Sequence, residues 1–155
     1  MARTVAAKTA NRQDKSDDKM LVKSIMRTPV TTVTPRTTVS AAAALMKELG
    51  IGVLPVCENG RILGILTDRD IVTRCCLNAR LDGTVADIMT ARVATCRPDQ
   101  TVQSAANRMG DLQIRRLVVV DAAGAPVGIL TLGDIANDAD EELAGQSLGE
   151  IVQTR

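Results

Sequence analysis

Two stretches of the chain end alike: Gly64-Ile65-Leu66-Thr67-Asp68-Arg69-Asp70-Ile71 and Gly128-Ile129-Leu130-Thr131-Leu132-Gly133-Asp134-Ile135. In each, an aliphatic run meets a Thr, and an Asp follows three residues later. Thr-x-x-Asp is close to a capping box, in which the Thr oxygen accepts from a first-turn amide and the acid reaches back. The same geometry has a second use. A helix start offers unpaired amides that suit phosphate. An Asp beside that phosphate needs another partner, and a ribose supplies one, because its two hydroxyls can donate to one carboxylate. The Thr hydroxyl can serve ribose or phosphate. Both readings, cap and ribonucleotide site, fit the motif.

Other chemistry is poorly provided for. The 155 residues include no His, Phe, Tyr or Trp. That excludes a Ser-His-Asp triad, a Cys-His pair, a His-containing zinc site, an aromatic cage and a base-stacking platform. Asp68 and Asp70, as i and i+2 on a helix, point apart and make a poor carboxylate dyad. Cys57, Cys75, Cys76 and Cys96 form no C-x-x-C, and adjacent cysteines rarely bond to each other. Buried thiols in a reducing cytosol are one reading, redox sensing by Cys75-Cys76 another. A net charge of +1 gives no global reason to bind nucleic acid or anionic membrane. No apolar run is long enough to cross a bilayer. The N-terminus lacks the apolar core of a secretory signal. Residues 1–19 read as a flexible cytosolic tail.

The elements that must position the two motifs come from an internal repeat. A shift of 63 residues brings Val22, Ile25 and Met26 onto Val85, Ile88 and Met89. The same shift brings Thr38, Val39, Ala42 and Met46 onto Thr101, Val102, Ala105 and Met109. After one insertion at Glu58-Asn59-Gly60 the shift becomes 64, and Gly64 to Ile71 falls on Gly128 to Ile135. Each copy predicts a short strand (Val30–Val33 in the first), then a helix at 39–49 or 102–112 capped by Thr38 or Thr101. A hairpin and a second helix follow. The hairpin of the first copy turns at Asn59-Gly60, and its second helix runs to about Asn78. The units are expected at 20–80 and 84–140, with Leu81-Asp82-Gly83 between them and a C-terminal tail or short helix, Ser147–Val152, within 141–155. The class is α/β, more strictly α+β, with two β-α-β-β-α repeats about a pseudo-twofold axis. One unit of this size has a marginal core, so two must pack together.

With these residues in order, the chain resembles a tandem pair of cystathionine β-synthase (CBS) domains, a Bateman module, of the small stand-alone bacterial kind. Ile25-Met26, Val30-Thr31-Thr32-Val33, Leu54-Pro55-Val56 and Leu117-Val118-Val119-Val120 carry the likeness with the two Thr-x-x-Asp ends, over roughly residues 20 to 140. The resemblance implies a regulatory module, not an enzyme. Its ligands would be adenosine-containing: AMP, ADP, ATP or S-adenosylmethionine, with no obligatory cofactor and no metal. It also implies a cytoplasmic homodimer formed through the helices at 39–49 and 102–112. One cleft would use Thr131 and Asp134 for ribose, with Ile129, Thr31, Ile51 and Gly52 around the base. Arg115 and Arg116 would face phosphate there, unless they are only a solvated strand edge. The other cleft would use Thr67, Asp70, Ile65, Ala94 and Ile114. It lacks the basic pair, since Gly52-Val53 stands there, and Arg69 could compensate. Adenine would be held between aliphatic side chains. The alternatives are a structural or partner-binding protein with unused clefts, and a cysteine-linked redox or stress role.

Overall fold

The computed structural model describes residues 20–76, 82–138, 145–146 and 148–149. The expected N-terminal tail, the end of the second helix at Asn78, Leu81 and most of Ser147–Val152 lie outside the described residues.

The elements follow in the order α1 (Val22–Ile25), α2 (Val39–Leu49), β1 (Val53–Glu58), β2 (Arg61–Thr67), α3 (Asp68–Asp70), α4 (Val85–Ile88), β3 (Thr95–Cys96), α5 (Val102–Leu112), β4 (Arg116–Val120), β5 (Pro126–Thr131) and α6 (Leu132–Asp138). The fold is α+β and duplicated. In both copies the long helix is capped by a Thr hydroxyl, from Thr38 to the Ala41 amide and from Thr101 to the Ser104 amide. Both helices end at the same repeat position in the left-handed region, at Gly50 and Gln113. Their inward faces follow helical spacing: Val39, Ala42 and Met46 in α2, and Val102, Ala105, Ala106 and Met109 in α5.

The hairpins use the period of two along a strand to feed two cores. Leu54 and Val56 of β1 face α2, while Val53 faces the other copy. Leu117 and Val119 of β4 face α5, while Val118 and Val120 join Val53 and Ile129 in an apolar layer between the copies. Both hairpins bulge at one repeat position, Val56/Cys57 and Val119/Val120. The inserted residue lies in the longer turn of the second hairpin, where the Asp121 carboxylate accepts from the amides of Ala123 and Ala125.

Two features depart from the sequence expectation. The strand expected at Val30–Val33 reduces to a single parallel bridge, Val33 to Val56, and its counterpart is only two residues long. The cause is an exchange between copies. The arm holding α1 packs Val22, Ile25 and Met26 into the core of the second copy, and the arm holding α4 packs Val85, Ile88 and Met89 into that of the first. Arg27 pairs with Ile129 through two backbone hydrogen bonds of 2.8 and 3.1 Å, and Thr90 pairs likewise with Ile65 at 2.9 Å. The chain must then cross from Arg27 on one copy to Val33 on the other within a few residues. It spends that length spanning the gap rather than pairing.

The second departure is that α3 continues as a π-helix over Ile71–Cys76. The Thr73 hydroxyl donates to the Arg69 carbonyl at 2.7 Å, taking an acceptor that an α-helical amide would use.

Candidate functional site

Each Thr-x-x-Asp pair sits where a strand of a hairpin runs into a helix. The local structure is a capping box in both copies. Asp134 Oδ2 accepts from the Thr131 amide at 2.8 Å and its hydroxyl at 2.6 Å, and the Asp134 amide donates back to Thr131 Oγ1 at 3.1 Å. Asp70 Oδ2 accepts from the Thr67 amide at 2.9 Å and its hydroxyl at 2.7 Å, with the return bond at 3.2 Å. Both acids are buried. Capping and any ligand contact therefore draw on one carboxylate in each copy.

The surroundings of the two acids differ. Beside the second copy's motif a cavity of about 970 Å³ opens between the copies, within the range of small-molecule sites. Thr131, Ile129, Arg115 and Arg116 line it from the second copy, and Thr31, Ile51 and Gly52 from the first. Those are the residues grouped by sequence for that cleft, with one qualification. Asp134 is not on the wall but behind Thr131, with its side chain 6% exposed. Val30, Val53, Leu132 and Ala136 add aliphatic surface. Arg115 and Arg116 are exposed at its rim. Among the described residues neither has an acidic partner within ion-pair distance.

Sequence reading missed Arg27. It lines this cavity, and its Nε donates to Asp134 Oδ1 at 2.6 Å. Its repeat counterpart is Thr90, so self-similarity carried no signal for it. Asp70 is held differently, by Arg74 of its own helix at 3.5 Å.

Thr67, Asp70, Ile65, Ala94, Ile114 and Arg69 do not line the cavity. The Arg69 side chain is exposed. Asp68 stands over the strand start of its own copy: a Cβ on Gly52 would lie 2.8 Å from its Oδ2. The second copy has Leu132 and Arg115 at the corresponding places. An acid thus faces the strand start in one copy, and an arginine occupies it in the other.

Two of the cysteines, Cys75 and Cys96, are poorly placed for redox chemistry. Cys75 and Cys96 are buried, and the Cys76 side chain lies outside the described residues. Burial pushes the Cys96 thiol up to about 11, a rise partly offset by the Arg108 charge, and raises the Cys57 thiol above its ordinary value of 9.0. A thiol raised on folding keeps its proton where the unfolded chain loses it. Its contribution to stability is complete below the unfolded value near 9 and is lost as pH rises toward 11. Thermal melts are expected to fall above pH 9, with a shallower fall in Cys96→Ala. Identical slopes in the two proteins would contradict this. No helix of the described residues is long and apolar enough to cross a membrane.

A duplicated α+β unit whose copies exchange arms and hold a basic, aliphatic cleft between them defines a class of small paired modules. The chain belongs to the CBS domain family, whose model matches residues 22–75 and 85–140 and so finds the domain twice in tandem. It is similar to the CBS domain-containing protein YhcV of Bacillus subtilis, at 41% identity over 132 residues, 84% of this chain and 94% of that one. Among solved structures it resembles the CBS domain pair of protein MJ0100 in complex with 5′-methylthioadenosine and S-adenosyl-L-methionine. That likeness has a TM-score of 0.71 and 31% identity over 76% of this chain and 94% of that one. It also resembles CBSX2 in complex with AMP, with a TM-score of 0.66 and 28% identity over 77% and 96% of the two chains.

Proposed function

We propose that the protein is a regulatory sensor that binds an adenosine nucleotide in the cleft beside Thr131 and Asp134, and that it is not an enzyme. One observation carries this reading: a single cavity draws Thr131, Ile129, Arg115 and Arg116 from one copy and Thr31, Ile51 and Gly52 from the other. Two related CBS pairs with adenosine ligands support it. In this reading Asp134 takes the ribose hydroxyls. Ile51 and Ile129 flank the base, and Arg115 and Arg116 meet phosphate. Their guanidinium groups suit phosphate through bidentate bonds. The cleft of Thr67 and Asp70, with Ile65, Ala94 and Ile114, is the weaker of the two.

Because the cavity lies between the copies, a ligand that prefers one arrangement of them shifts their relative orientation. We place that readout in a cytoplasmic homodimer. Leu49 and Leu112, 46% and 48% exposed at the ends of α2 and α5, contribute to the contact.

Calorimetric titration with AMP, ATP and S-adenosylmethionine tests the reading, since the chain has no Trp or Tyr emission. No heat and no thermal shift with any of them at millimolar concentration would falsify it. Replacing Arg115 and Arg116 together by Ala is expected to weaken AMP about tenfold or more, as loss of charged hydrogen bonds does. 5′-Methylthioadenosine, which has no phosphate, should be affected far less. An equal loss for both ligands would remove the phosphate role.

A further inference from the structure

We propose that Arg27 makes the cleft select a phosphorylated adenosine ligand over the bare nucleoside. The proposal rests on the adenosine reading above and assigns the selectivity to a residue outside the repeat motif.

Asp134 is already well supplied with donors. Thr131 gives two to Oδ2, and Arg27 gives one to Oδ1. A carboxylate has about four acceptor positions. A ribose diol needs two of them, so full engagement requires one donor to leave. The Thr131 amide and hydroxyl both belong to the cap, and the hydroxyl oxygen also accepts from the Asp134 amide, so neither leaves without loosening the start of α6. Arg27 comes from a different element, the crossing arm. Its backbone is fixed by the two hydrogen bonds to Ile129, but its side chain is 65% exposed, with open space to turn into once the ion pair to Asp134 breaks. Arg27 is therefore the donor that ribose displaces.

Displacement has a consequence for charge. Freed from Asp134, the Arg27 guanidinium faces a cavity that already carries Arg115 and Arg116. A nucleoside offers it nothing in exchange for the lost ion pair. A nucleotide offers an anion, so the cation moves from carboxylate to phosphate as the diol takes the carboxylate. The first copy has no such device, because Thr90 stands at the counterpart of Arg27 and Asp70 is held by Arg74 from its own helix.

The experiment compares AMP and adenosine by calorimetry on the full chain, on Arg27→Ala and on Arg27→Gln. The Gln variant keeps most of the side-chain stem if the Ala variant folds poorly, and a thermal melt reports folding for each. The unaltered chain should prefer AMP. Both variants should bind AMP about fivefold more weakly and adenosine about threefold more tightly, because the tax of displacing Arg27 is gone. The preference for AMP then shrinks about tenfold or more. A preference that stays within about twofold of the original, in a chain that does bind AMP, overturns the role of Arg27 and leaves the adenosine reading standing. If the unaltered chain binds neither ligand, the adenosine reading fails and this proposal with it.

Discussion

Asp134→Ala is expected to weaken AMP binding by about tenfold to a hundredfold, the range for losing hydrogen bonds to a charged group worth about 1.5–3 kcal/mol. Asp70→Ala should leave the same binding isotherm nearly unchanged. The contrast follows from surroundings, since both acids make the same capping box. Only Asp134 stands behind a cavity that carries Arg27, Arg115 and Arg116. The Ala change also removes the acid half of the capping box, while the backbone amide of residue 134 still donates to Thr131 Oγ1, and it leaves Arg27 without its partner, so some stability is lost, about 1–2 kcal/mol by comparison with other caps. Asp134→Asn separates the two effects. It keeps the shape and one acceptor oxygen but loses the charge. It should melt closer to the unaltered chain than the Ala variant does, while still binding AMP poorly. Equal losses from Asp134→Ala and Asp70→Ala would show that the clefts are not unequal.

Gly128→Ala is expected to destabilise the fold by about 1–3 kcal/mol, the usual cost of overpacking. The exchanged arm lies directly on this glycine. A Cβ there would come 2.8 Å from Met26 Sδ and 3.1 Å from the Arg27 carbonyl oxygen. The thioether can swing aside, but the carbonyl is held by the Ile129 amide and cannot. The repeat supplies an internal control: a Cβ on Gly64 would meet Met89 Sδ at 2.7 Å and the Thr90 carbonyl at 3.0 Å. Both substitutions should lower the melting temperature by a similar amount, about 3–10 °C for a domain of this size. Adding Met26→Ala to Gly128→Ala should recover only part of the loss, because the backbone contact remains. Full recovery would mean that the arm adapts freely. Unchanged melting in both single variants would show that the arms do not sit on the glycines in solution.

The pairing of Gly128 with Met26 shows where sequence reading reaches its limit. Both residues were visible as repeated positions, matched to Gly64 and Met89. Their contact with each other was not. The repeat register shows that Val22, Ile25 and Met26 are equivalent to Val85, Ile88 and Met89, yet the two cores offer nearly the same aliphatic surface. Which core each arm fills depends on how far the chain can reach after Arg27 and Thr90. Arg27 escaped notice for a related reason. Self-similarity singles out what both copies share, and its counterpart is Thr90.

The duplication, the α2 and α5 helices with their Thr caps, the two hairpins, and the Thr-x-x-Asp pairs at the strand-to-helix junctions were all legible in the order of residues. Those follow from spacing within a few residues, where period, capping and turn chemistry act locally. The likeness to a paired fold also grouped Thr131, Asp134, Ile129, Arg115, Arg116, Thr31, Ile51 and Gly52 into one cleft, of which all but Asp134 line the cavity. Three features depend on packing across the copies: the arms cross between them, the Val30–Val33 segment spans instead of pairing, and Asp134 is held by an arginine 107 residues away. A contact at that separation leaves no periodic trace in the sequence. It exists because the copies pack face to face and bring the end of one arm against the other copy's cap.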